Sequence, residues 1–153
     1  MRRADNGLHL VRAFDRTGRL PALLASRTTS YGHRVLTWST IVYGAALSAV
    51  LAGVAVFGLS RRASVAVAAS VAGAVGPFGW NAVLRATHAG EFFTDAPIRV
   101  LPASWQDTGS GVVTFAVAAA LLGLGPLASD GRRAVVLAGV AGLIAFLVDV
   151  YLY

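Results

Sequence analysis

Cysteine and lysine are absent from this sequence, and methionine occurs once in 153 residues. The lack of cysteine excludes a disulfide framework, a thiolate nucleophile and any Cys-ligated metal. Charge is also scarce. Only 13% of the residues are charged, against about 25% in an average soluble domain. Missing too are a nucleotide-binding loop, an HExxH or GxSxG motif, and a pair of histidines within the apolar runs that could ligate haem. TGSG at Thr108 to Gly111 resembles a phosphate cradle only superficially, because no lysine follows it. No cofactor is expected.

What fills the chain instead is Ala, Val, Leu and Gly. The hydrophobic fraction is 56% and the mean hydropathy +0.68, values that belong to a membrane protein. All 13 basic residues are arginine. With so much alanine and glycine, this points to a GC-rich coding sequence and to a bacterial plasma membrane. The net charge of +6 has a simpler cause than nucleic acid, since arginines flank spans and contact anionic lipid headgroups. Membrane lipids are therefore expected as partners, and nucleic acid is not.

Four apolar runs reach the roughly 20 residues needed to cross a bilayer: 35–59, 64–84, 105–127 and 134–153. The fold class predicted is an all-α integral membrane protein, with four transmembrane helices arranged as two hairpins. Short connections carrying Arg61-Arg62 and Arg132-Arg133 join the members of each hairpin. A basic leader, 1–34, precedes the first span, and a long interfacial loop, 85–104, separates the hairpins. Leu8, Val11 and Phe14 sit at helical spacing beside arginines, so the leader reads either as a helix on the membrane surface or as a solvated tail. Nine arginines lie in the leader and long loop, against four at the short turns. That balance places both termini in the cytoplasm, although the margin narrows to five against four near the spans.

Small residues recur at four-residue spacing in every span, among them Gly44/Ser48/Ala52, Ala69/Gly73, Ala72/Gly76, Ala116/Ala120 and Ala138/Gly142. Such spacing lets helix backbones approach closely and predicts a tight bundle. Two polar residues interrupt the spans. Asn81 follows Pro77, where a kink either adjusts packing or lines a cavity. Asp149 lies near the end of the last span, level with Arg34 and Arg85, and an ion pair with one of them is the expected arrangement.

The most polar stretch is HAGEFFTDAPIRVLPASWQD, residues 88–107. Its end is a helix start: Ser104 and Asp107 match a capping box, and Trp105 is placed to anchor the span at the headgroups. If the second span runs on as helix to Ala96, His88, Glu91 and Asp95 share one face. Imidazole and carboxylates so placed suit a divalent metal or proton transfer; the plainer reading is a solvated face paired with Arg85 and Arg99. No catalytic constellation is complete. The function expected is a non-catalytic accessory subunit that binds a protein partner or itself. A homo-oligomeric transporter of a small solute or ion is the alternative, ahead of a membrane-embedded enzyme using the 88–95 cluster.

Overall fold

The computed structural model describes residues 36–89, 92 and 101–152. All belong to the unit His33–Tyr153. The leader 1–34 and, with it, Arg34 lie outside the described residues, as do Glu91, Asp95 and Arg99.

The described residues form four α-helices and no strand: α1 (Trp38–Ser60), α2 (Ala63–Ala86), α3 (Trp105–Gly123) and α4 (Gly131–Leu152). Three of them, α1, α2 and α4, are long and apolar enough to cross a membrane, and they point to membrane insertion. α3 differs. It has 19 residues, and Gln106, Asp107, Thr108 and Ser110 dilute its first turns.

Each helix end has a local cause. Thr37 caps α1, accepting from the Thr40 N–H at 3.3 Å. Arg61 closes that helix in the left-handed region, φ 56°, with its N–H on the Phe57 carbonyl at 2.8 Å. α3 stops at Gly123 instead of running to Leu127, because Pro126 cannot continue a helix. Gly125 is required in the turn that follows, since a Cβ there would stand 2.6 Å from the Leu121 carbonyl. The turn folds Leu127 back into the core, its N–H on the Leu122 carbonyl at 2.9 Å. α4 begins earlier than the apolar pattern suggests. Asp130 accepts from the Arg133 N–H at 3.1 Å, so Arg132 and Arg133 lie in the first turn of α4 rather than in the connection.

Consecutive helices pack against one another, α4 closes back onto α1, and α2 meets α4 across the bundle. The contacts run antiparallel: Ser48 and Ala49 meet Gly73, Thr114 meets Gly76, and Gly111 meets Gly142. These glycines bring backbones together. A Cβ on Gly73 would lie 2.8 Å from the Ser48 carbonyl, one on Gly76 2.7 Å from Thr114 Cα, and one on Gly142 2.8 Å from the Gly111 carbonyl. Close approach of this kind holds helices together in lipid, where the hydrophobic effect between them is absent. In α3 the buried stripe is Gly111, Thr114, Ala118 and Leu122, while Ala116 and Ala120 face outwards.

The bundle is polar at one end and largely apolar at the other, where Ser60 is a buried polar residue. The end where α1 and α3 start holds Asn81, Gln106, Asp107 and Asp149, with Ser110, Thr114 and Ser48 successively deeper. Beyond Ser48 the buried cluster is purely apolar: Ala52, Val56, Val65, Ala69, Ala118, Leu122, Leu127 and Leu137. Between α1 and α4, Leu47, Leu51, Val54, Leu147 and Tyr151 border an apolar cleft of about 540 Å³.

Candidate functional site: a buried polar node

Three side chains from three helices meet inside the polar end. Asn81 of α2 is 1% exposed, Gln106 of α3 1%, and Asp149 of α4 0%. Gln106 Nε2 donates both to Asn81 Oδ1, at 3.1 Å, and to Asp149 Oδ2, at 3.0 Å. Asn81 Nδ2 donates to the Pro77 carbonyl at 2.9 Å. That bond fixes which way the asparagine points, and the asparagine fixes the glutamine. Reversing either amide would set oxygen against oxygen. The bonds from Pro77 to Asp149 thus have one consistent assignment, with Gln106 donating both ways.

Trp80 holds the node from the side. Its Nε1 donates to the Gln106 carbonyl at 3.0 Å, and its ring lies over Gly109, where any Cβ would collide with the indole. Phe92 packs edge-on against the same indole, with centroids 6.3 Å apart. The bond to Trp80 has a further effect. The Gln106 carbonyl also accepts the helical N–H of Ser110, so both of its lone pairs are used. The Ser110 hydroxyl therefore cannot turn back onto the carbonyl four residues earlier, the usual resting place of a helical serine. It stands beside the Asp149 carboxyl, to which a hydroxyl can donate. Both Ser110 Oγ and Asp149 Oδ1 are buried without a partner, as are Thr114 Oγ1 and Ser48 Oγ.

Arg85 does not pair with Asp149, contrary to the sequence expectation. Its guanidinium donates to the Leu36 carbonyl at 2.6 Å and lies 5.1 Å from the centre of the Trp38 ring. Arginine stacks well on indole, and the position ties the start of α1 to the end of α2. The other proposed partner, Arg34, lies outside the described residues. Asp149 itself sits inside the bundle rather than at its edge; Tyr151, two residues on, is exposed.

The helix of Asn81 and Arg85 does not run on through His88. α2 ends at Ala86, and His88 takes a left-handed conformation, φ 55°. The His88 N–H reaches the Arg85 carbonyl at 3.4 Å and the Ala89 N–H the Leu84 carbonyl at 3.0 Å, the paired bonds of a helix-closing turn. His88 is exposed and serves as that turn's pivot. Glu91 and Asp95 lie outside the described residues, and no group of three metal-ligating side chains occurs among the described residues. At the start of α3, Ser104 and Asp107 form the full capping box: the Asp107 N–H donates to Ser104 Oγ at 3.2 Å, and the Ser104 N–H to Asp107 Oδ2 at 2.7 Å. Trp105 is exposed.

Sequence reasoning singled out Asn81 and Asp149 but passed over Gln106, which links them, and Ser110. The signal that would have found them is Gln106, Ser110 and Thr114 at four-residue spacing, one polar stripe on an otherwise apolar helix. Comparison with protein-family models, with curated proteins and with solved structures finds no match for this chain.

Proposed function

We propose that this chain is a four-span membrane protein, paired as two helical hairpins, that serves as a non-catalytic subunit of a membrane assembly. The observation that carries this reading is the closed interior. Helices touch at the backbone at Gly73, Gly76 and Gly142, which leaves little room between them for a solute at those levels. Asn81, Gln106 and Asp149 are buried and bonded to one another, an arrangement that locks helices together rather than one that meets a substrate. In this reading α3 crosses with the other three, its polar first turns shielded by α2 and α4. Both termini and the long loop lie on the arginine-richer side, taken as the cytoplasm of a bacterium. Native mass spectrometry of the protein gently extracted from its own membrane tests the assignment: a defined heteromeric assembly supports it, and a lone chain rejects it.

Transport by a homo-oligomer is the second reading, and one observation favours it. Asp149 Oδ1, Ser110 Oγ, Thr114 Oγ1 and Ser48 Oγ are unpartnered oxygens that extend into the bundle from its polar end. An intramembrane carboxylate is a functional group by default. Reconstituted in vesicles, a transporter loses flux on Asp149→Asn, whereas a subunit shows no flux with either side chain.

A further inference from the structure

The end of the bundle away from the polar node gathers charge of one sign. The turn between α1 and α2 holds Arg61 and Arg62, and the first turn of α4 holds Arg132 and Arg133. Both turns border one end, since Val56 and Val65 beside the first share a buried cluster with Leu127 and Ala134 beside the second. Helices in contact lie about 8–10 Å apart, so the two arginine pairs edge a single small surface. Their backbones are bonded: the Arg61 N–H to the Phe57 carbonyl, the Arg62 N–H to Ser60 Oγ and the Arg133 N–H to Asp130 Oδ1. Among the described residues none of the four guanidiniums has a partner, and Asp130 is the one carboxylate at this end. Arg132 and Arg133 also occupy a helix start, where a cation is unfavourable. Like charges gathered so closely repel one another unless an anion joins them.

What surrounds the arginines indicates which anion. Leu59 is 60% exposed and Leu124 87%, and Val135 and Val136, just beyond Arg133, are exposed as well. A soluble anion or an acidic protein segment matches the guanidiniums but not these apolar side chains. A phospholipid matches both, with phosphate for arginine and acyl chain for leucine and valine. The depth agrees. α1 ends at Ser60 and α4 begins at Gly131, and both are apolar enough to cross a membrane, so the arginines fall at the level of the headgroups. Guanidinium pairs with phosphate through two parallel hydrogen bonds, and a zwitterionic headgroup brings its own cation to the same phosphate. We propose that Arg61, Arg62, Arg132 and Arg133 form a binding site for the phosphate of one anionic phospholipid, whose chains lie against Leu59 and Leu124. The site goes beyond the subunit reading and rests on its four spans, which set both turns on one face of the membrane. It is separate from the arginine-rich leader, which joins the bundle at the opposite end.

The test uses a fluorophore on Ser129→Cys, a single cysteine in the exposed turn before α4. The full chain is placed in phosphatidylcholine nanodiscs with a trace of lipid carrying a spin-labelled chain. Spin-labelled phosphatidylglycerol is expected to quench the fluorophore about tenfold more effectively than spin-labelled phosphatidylcholine. Arg61→Gln with Arg62→Gln, or Arg132→Gln with Arg133→Gln, is expected to cut that preference about fivefold. The same change at Arg12, Arg16 and Arg19 of the leader should leave it intact. Equal quenching by the two lipids overturns the proposal and leaves an acidic protein surface as the claimant. A preference that survives loss of all four arginines overturns it too. If millimolar inorganic phosphate abolishes the preference, the site holds a soluble anion and the lipid assignment fails. Impermeant labelling of Ser129→Cys and Thr87→Cys, expected from opposite faces of sealed vesicles, tells a failure of the four-span reading from a failure of the site.

Discussion

A glycine in this bundle is either a contact or a gap, and its neighbours decide which. Gly76 lies against Thr114, with a Cβ position 2.7 Å from its Cα, whereas Gly139 has nothing within 4 Å. Gly76→Ala is expected to destabilise the bundle by about 1–3 kcal/mol through overpacking. Gly139→Ala should leave stability unchanged or raise it by about 0.5–1 kcal/mol, as the better helix former. Both are read from unfolding midpoints in detergent. His88 makes the converse case. A left-handed non-glycine residue costs about 1–2 kcal/mol, so His88→Gly is expected to stabilise the protein while assembly is unaffected. If His88→Gly abolishes a measured activity, the imidazole has a role that its place in the turn does not explain. In the sequence His88 resembled a ligand because imidazole beside two carboxylates is a chemical pattern. Backbone conformation is not written in that pattern, and Ala89-Gly90 was the only hint that the helix had ended.

At the level of the element, α3 is the helix whose sequence and surroundings differ most. Its capping box was legible because the S-x-x-D spacing is local and its bonds span three residues. Gln106 was not, although it lies between the two capping residues, because its partners are 25 and 43 residues away. Nothing in one helix states which face of another it will meet. The apolar runs likewise located all four helices, but Gly125-Pro126 and Asp130 moved the ends by a few residues. Gln106→Leu is expected to cost about 1–3 kcal/mol, because it strips a donor from the buried Asp149 carboxyl and from Asn81 Oδ1. Replacing Gln106 and Asp149 together by leucine should recover much of that loss, since a matched apolar pair leaves no bare charge. A double-variant cost equal to the sum of the two single costs would mean that the two side chains are not coupled.

For the whole molecule, the question that matters is whether α3 crosses the membrane, and the sequence offers a clean means to decide. The chain has no native cysteine, so any one introduced is unique. Thr87 follows α2 and Arg132 opens α4, with α3 between them. Thr87→Cys and Arg132→Cys are expected to be labelled by an impermeant maleimide from opposite faces of sealed vesicles, with Arg61→Cys matching Arg132→Cys. Labelling of Thr87→Cys and Arg132→Cys from the same face would leave α3 uncrossed and remove the four-span reading. The same experiment on right-side-out cells gives the orientation that the narrow arginine balance leaves to a count of five against four.

The dilute start of α3 also bears on how the chain is made. α1 and α2 are apolar enough to enter lipid on their own as they leave the ribosome. On the proposed four-span reading, α3 carries Gln106, Asp107 and Ser110 into the bilayer, and the acceptor that Gln106 needs on Asp149 is not synthesised until the last turns of α4. Translation must therefore nearly finish before α3 has a reason to stay. On that reading α3 is expected to reach lipid only together with α4, so that the order of insertion differs from the order of synthesis. A chain stopped ahead of Val148 would leave α3 stranded with unmet donors and open to quality-control proteolysis, although three of its four helices are complete.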